Sequence, residues 1–250
     1  MDGVYLISKR IGESMGQLVE RFRSAQNVGA EVSITFAGRL DPLAEGLCIL
    51  LVGSFVHEKE KYLAYDKTYT GTFVAGIATD TYDIAGIPTF RSLITGKQEI
   101  LQEIKNWTTH TNQEYPMYSS KPVDGKPLWM WARDGMVPRS GMPSRTIAVS
   151  SSDGEYVGEI SLAELCTEVK KLLGVFPSGF RRDEIGEAWA KLEGKMNLDL
   201  YRFEVTVSSG TYVRGLVHTL GGTLKTLCRT RIGPFQLNPE HVKGYIDKVV

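Results

Sequence analysis

The chain has 250 residues, 42% of them hydrophobic and 23% charged, with 29 basic and 29 acidic side chains and hence no net formal charge. That is the composition of a globular chain long enough to bury a sizeable core. No apolar run reaches the roughly 18 residues of a membrane span, and no signal-peptide pattern opens the chain, so the expectation is a cytoplasmic protein with no membrane partner. Cys48, Cys166 and Cys228 are far apart and lack CxxC or histidine partners at metal-ligand spacing. They read as reduced, mostly buried thiols, and no metal or zinc site is expected. Zero net charge at first argues against a polyanionic partner. The distribution says otherwise. Between Ser119 and Arg145, Lys121, Lys126, Arg133, Arg139 and Arg145 face only Asp124 and Asp134, and a second basic excess runs from Tyr201 to the C-terminus.

In chain order, "SMGQLVERFRSAQ" predicts the first helix. Ser14 and Gln17 make a capping box, Met15, Leu18, Val19 and Phe22 share a face, and Arg21 and Arg23 fall on the exposed side. "EVSITF" alternates and predicts a strand, and "GLCILLVG" is too short for a helix and predicts a buried one. "KTYTGTFVAGI" gives a third strand, and "GKQEILQEIKNW" a helix with Ile100, Leu101 and Ile104 inward. "SLAELCTEVKKLLG" is a helix capped by Ser161 and Glu164 that buries Leu162, Leu165, Val169 and Leu172; "LYRFEVTVSSG" is a strand, and "YVRGLVHTLGGTLKTL" reads as helical. Strands and helices alternate irregularly and without repeated βαβ spacing, which predicts α+β with a largely antiparallel sheet.

One carboxylate stands out, because "TFAGRLDPLAEGLCILLVG" sets Asp41 in a loop at the mouth of the buried strand. On spacing alone, an Asp before Pro is a turn or cap residue more often than a catalyst. "VSSGTYVRGLVHTLG" delivers Tyr212 and Arg214 at a strand-to-helix turn. If Arg214 reaches Asp41, the pair keeps the carboxylate ionised and oriented, as a nucleophile or base requires; otherwise Arg214 is a solvated surface charge. Asp80 and Asp83 in "TDTYDIAG" read as turn residues, since two carboxylates without further ligands make a poor cation loop. Trp129, Met130 and Trp131 read, on pattern alone, as the core face of a short helix. His57, His110, His218 and His241 are scattered and carry no assigned role.

Together these segments resemble the TruB-type tRNA pseudouridine synthases over nearly the whole chain. The Asp41 loop is similar to the family's catalytic loop, and "KTYTGTFVAGIATDTYDIAG" to the block whose Lys-x-Tyr, here Lys67 and Tyr69, sets an aromatic ring against the target base. "PMYSSKPVDGKPLWMWARDG" resembles the next block, "SGTYVRGLVHTLG" the block that supplies the arginine partner, and "LCRTRIGPF" the block in which an apolar residue, here Leu227, lines the uracil pocket. "KRIG" is similar to an N-terminal Lys-Pro-x-Gly pattern, with Lys9 and Gly12 kept and Arg10 in place of Pro. Where the family usually carries a histidine before the aspartate, this chain has Phe36.

The resemblance implies a pseudouridine synthase fold with a mixed, largely antiparallel central sheet flanked by helices. It implies isomerisation of uridine 55 in the T arm of tRNA, no cofactor, Asp41, Tyr69 and Arg214 as catalytic residues, and Tyr212, Leu227, Lys67, Phe36 and Lys9 as substrate-binding ones. It also implies one catalytic domain over residues 1–250, acting as a monomer and without the C-terminal PUA domain of many bacterial members, with the two basic stretches supplying phosphate contacts. A catalytically silent tRNA-binding module, or the same chemistry on another RNA, are the alternatives. Retention of Asp41, Tyr69 and Arg214 together favours the enzyme.

Overall fold

The computed structural model describes residues 1–90, 96–177, 179–192, 196–237 and 246–249. Nine strands form the central sheet: β1 (Gly3–Lys9), β2 (Ile34–Phe36), β3 (Glu45–Val52), β4 (Lys67–Ala75), β5 (Val149–Ser161), β6 (Asn197–Val207), β7 (Gly222–Ile232), β8 (Phe235–Gln236) and β9 (Ile246–Lys248). The order is β5-β6-β4-β7-β3-β1-β9, with β8 beside β7 and β2 beside β3. Among the described residues, only the β7–β3 pairing of these strands is parallel, and the others are antiparallel. Together with the flanking helices, this is the expected α+β architecture.

The helices are α1 (Met15–Gln26), α2 (Lys59–Leu63), α3 (Lys97–Asn106), α4 (Leu128–Arg133), α5 (Leu162–Val175), α6 (Arg182–Ala190) and α7 (Val213–Thr219). Both predicted capping boxes form, Ser14 with Gln17 on α1 and Ser161 with Glu164 on α5. Strand β3 explains why the segment after Asp41 is so apolar. It is central, and Leu47 to Val52 are completely buried, at roughly 1.5–3 kcal/mol of favourable transfer for each large side chain.

Several expectations need correction. The segment predicted as one helix from Tyr212 is the two-turn α7 followed by β7. Gly221, at φ 73, stops the helix, and the β-branched Thr223 and Thr226 beyond it suit the strand between β4 and β3. Leu173, not Leu172, is the last fully buried leucine of α5. Arg21 and Arg23 are half-buried and paired, not free on an exposed face. Arg21 Nε meets Glu13 at 2.7 Å, and Arg23 donates to the carbonyls of Gly29 and Val32. Among the described residues no helix is long and apolar enough to cross a membrane.

Candidate active site

The loop between β2 and β3 carries Asp41 to the edge of the core. It leaves β2 through Gly38 at φ 89 and enters β3 through Gly46 at φ 104. Gly46 admits no other residue, because a Cβ there would lie 2.4 Å from the Arg229 carbonyl oxygen on β7. Between them the Asp41 carbonyl accepts from Ala44 N at 3.0 Å, and Gly12 N donates to Pro42 O at 2.9 Å. Beneath the loop Lys9 is fully buried, its ammonium donating to Ala44 O at 2.7 Å, Arg10 O at 3.0 Å and Pro42 O at 3.4 Å. Burial lowers the Lys9 pKa to about 8.

Arg214, near the start of α7, meets this loop from across the sheet. Its Nε lies 2.9 Å from Asp41 Oδ2, with the arginine side chain 4% and the aspartate side chain 39% exposed. The guanidinium does not grip the carboxylate as a two-pronged fork. Nη1 donates to Thr81 O at 2.7 Å and Nη2 to Tyr118 O at 2.9 Å. One cation therefore ties together the Asp41 loop, the 79–87 turn and the 118–120 segment, so its removal would loosen three segments and not one. Burial opposes its charge, but Asp41 and the buried Asp83 hold it protonated above its ordinary range. Asp83 is itself raised to about 6 by burial, against the pull of Arg214 and Thr81.

Two cavities open on either side of this ion pair. One, of about 300 Å³, is lined by Asp41, Arg214, Tyr69, Tyr212, Leu227 and Lys67, together with Arg229 and the Gly38–Leu40 backbone. Tyr69 and Leu227 face it from adjacent strands, β4 and β7, paired in the sheet. The other, of about 360 Å³, shares the Asp41–Arg214 wall and is closed by Asp83, Tyr118, Trp129, Arg133, Phe180 and Arg181. Both are of a size for a small planar ligand.

The expected site residues thus divide. Asp41, Tyr69, Arg214, Tyr212 and Leu227 come together. Lys67 lines the same cavity and is buried, its ammonium donating to Leu63 O at 2.6 Å and Tyr65 O at 2.5 Å. Lys9 is likewise a loop support and does not reach the cavity. Phe36 lies on β2 outside both cavities, with the Arg39 guanidinium 5.6 Å and the Lys59 ammonium 6.0 Å from its ring centre.

The basic stretches divide too. Arg133 and Arg139 are exposed, as are Trp129 and Met130, which corrects the core reading for those two, while Trp131 is half-buried with its Nε1 donating to Val123 O at 3.0 Å. On β7, in contrast, Lys225 pairs with Glu168 of α5 at 2.7 Å and Arg229 is buried; of this group only Arg231 is exposed. The turn reading of the two aspartates holds for their hydrogen bonds, since Asp80 accepts from Ile87 N and Asp83 from Ala85 N. It missed that Asp83 faces Arg214, although a carboxylate flanked by Tyr82 and Ile84 was a signal of burial. His218 stacks on Tyr82 with ring centres 3.6 Å apart. His241 lies outside the described residues.

The site is thus a buried arginine paired with one half-exposed carboxylate at the mouth of a cavity that two tyrosines and a leucine help to line. Comparison with known proteins names the lineage. The family model described as "TruB family pseudouridylate synthase (N terminal domain)" matches residues 26–170. The chain is 33% identical over 247 residues to a tRNA pseudouridine synthase B from Aromatoleum aromaticum, covering 95% of this chain and 65% of that one. It is 28% identical over 248 residues to one from Nitratidesulfovibrio vulgaris, covering 96% and 66%, and 26% identical over 245 residues to one from Chlamydia abortus, covering 95% and 85%. It therefore spans about two thirds of the length of the first two relatives. Among solved structures, a chain of a Cbf5–Nop10–Gar1 complex superposes with a TM-score of 0.50 at 18% identity, covering 94% of this chain and 50% of that one. A chain of an H/ACA RNP bound to a substrate RNA containing 2'-deoxyuridine does so with the same score at 17% identity, covering 94% and 48%. These two likenesses concern the fold. The chain belongs to the TruB family of pseudouridylate synthases.

Proposed function

We propose that this chain converts uridine to pseudouridine in tRNA, at position 55 of the T arm, with Asp41 as the reacting carboxylate. One observation carries the reading: Asp41, Arg214, Tyr69, Tyr212 and Leu227, drawn from four distant segments, all line the same 300 Å³ cavity. The names of the matched relatives, tRNA pseudouridine synthase B, support the substrate class.

The reaction breaks the bond from C1′ to N1 of uracil, turns the base and forms a bond from C1′ to C5; C5 loses a proton and N1 is protonated in the product. Electrons balance within the nucleotide, so no redox partner or cofactor takes part. Arg214 keeps Asp41 oriented at the ribose, where it acts on C1′ as a nucleophile or on C2′ as a base. The base must first leave its stack, at a cost of a few kcal/mol. Tyr69 and Leu227 offset that cost by giving the extruded ring an aromatic and an apolar wall. Arg133, Arg139 and Trp129 lie outside that 300 Å³ cavity and meet the flanking RNA through phosphate contacts and stacking.

The test is to incubate the protein with unmodified tRNA transcripts and to map pseudouridine nucleotide by nucleotide. Conversion at position 55 alone is expected. Conversion only at other positions would overturn the site assignment, and binding without conversion at any uridine would favour a silent RNA-binding module.

A further inference from the structure

Arg229 has no place in the reaction as described, yet it is among the most completely buried charges in the molecule, at 1% exposure. Its position follows from the sheet. Strand β7 runs antiparallel to β4 and parallel to β3, which sets Arg229 opposite Tyr69 on one side and opposite Gly46 on the other. The guanidinium donates from Nε to Leu47 O at 2.7 Å, from Nη2 to Gly38 O at 3.2 Å and from Nη1 to Arg39 O at 3.4 Å. Those carbonyls belong to both ends of the loop that carries Asp41. Nη2 also lies 3.3 Å from the buried Cys48 sulfur. The cross-strand pairing sets the side chain beside Tyr69, whose phenol helps to hold the guanidinium protonated above its ordinary range against burial, and both residues line the cavity that Asp41 faces.

The surroundings make this an expensive way to brace a loop. A buried cation needs compensation, and the hydrogen-bond partners of Arg229 among the described residues are three carbonyls and a thiol, with the Tyr69 phenol on the neighbouring strand and no carboxylate among them. Lys67 and Lys9, two further buried cations, lie close enough to repel it. A loop tied only for stability could be closed by apolar packing. A planar, multi-donor cation is required if several acceptors must be held in one fixed relation.

We infer that Arg229 is a positioning residue of the active site: it holds the Tyr69 hydroxyl and the two ends of the Asp41 loop in one rigid frame, and so sets the stacking ring relative to the reacting carboxylate. The inference rests on the proposed uridine isomerisation for its kinetic consequence, but not for the contact itself.

The kinetic test is a double-mutant cycle of Arg229→Lys and Tyr69→Phe, with single-turnover rate and tRNA affinity measured separately. Arg229→Lys keeps the charge and loses the planar donor set. Its rate is expected to fall by at least ~10-fold while the Kd changes by less than ~2-fold, and its effect in the Tyr69→Phe background is expected to shrink by at least ~3-fold, because the two side chains act as one unit. A rate unchanged by Arg229→Lys, or equal fold-losses in both backgrounds, would overturn the inference. A second readout needs neither activity nor an Arg229 variant. In the ¹⁵N-labelled protein, Tyr69→Phe should shift the guanidinium resonances of Arg229 and speed their hydrogen exchange; unchanged resonances would also overturn it. If the wild-type protein converts no uridine while Tyr69→Phe still moves those resonances, the proposed function fails and the frame stands.

Discussion

In the proposed reaction Asp41 and Arg214 divide the work that a single catalytic group would otherwise do. The carboxylate is half-exposed so that it can meet a substrate, and the arginine is buried so that its charge is not screened by water. Asp41→Asn preserves shape and removes nucleophile and base alike. It should lower the rate of pseudouridine formation by at least about 100-fold with tRNA binding nearly intact, as filter binding beside a single-turnover assay would read. Arg214→Lys keeps the charge but abandons the carbonyls of Thr81 and Tyr118. A loss of similar size is expected, with a fall in thermal midpoint that Asp41→Asn does not show, because only the arginine also braces two loops. Lys9 adds a pH signature. Its folded pKa of about 8 lies below the free value of 10.5, so between those values the unfolded chain binds a proton that the native chain does not. Stability contributed by this group therefore rises with pH across that window, and below about 8 the penalty of a buried ammonium is fully present. Chemical denaturation of wild type and Lys9→Met at pH 7.5 and pH 9.5 should show a smaller gain on raising pH in the variant; parallel gains would remove Lys9 from this role.

The elements around the pair serve it in different ways. The paired strands β4 and β7 present Tyr69 and Leu227 to one cavity, Leu227 lying opposite Gly71 and Tyr69 opposite Arg229. The segment through α4 instead exposes Trp129 and Arg133 at the rim of the second cavity, with the Arg133 guanidinium 5.4 Å from the Trp129 ring centre. Helix α6 clamps the 79–87 turn, since Arg181 pairs with Asp80 at 2.7 Å and Trp189 Nε1 donates to Gly86 O at 2.9 Å. This division predicts which cations meet RNA. Arg133→Ala and Arg139→Ala should each lower the slope of log affinity against log salt by up to about one unit, whereas Lys225→Ala, whose wild-type ammonium is paired to Glu168, should leave it unchanged. Equal slopes in all three variants would mean that the α4 segment does not face the nucleic acid. Removing the α5 cap with Ser161→Ala should cost about 1 kcal/mol in denaturant titration without altering the rate, because Ser161 lines neither cavity.

At the scale of the whole molecule, one continuous apolar cluster joins α1, the sheet, α3, α5 and α6. Leu40 and Leu43, which flank Asp41, belong to it, as do Tyr69 and Leu227. The site is thus anchored in the main core, and unfolding followed by tryptophan fluorescence and by far-ultraviolet circular dichroism should give coincident transitions. An early transition confined to one probe would show that part of the site melts alone. What the amino-acid sequence determined by itself was local or patterned: capping boxes at Ser14 and Ser161, the buried run after Asp41, the α+β class, and the residues that the family resemblance marked. Hydrogen-bonding types, apolar period and motif spacing are written along the chain, so those features were legible. Only the tertiary structure decided that Lys9 and Lys67 brace loops, that Arg214 gives two of its three contacts to backbone carbonyls, that Asp83 stands behind it, that Lys225 is paired on α5, and that the chain beyond Gly221 is a strand. The physical reason is common to all of these. A charge written in sequence has no burial and no partner until strands far apart in the chain, such as β3, β4 and β7, are laid side by side.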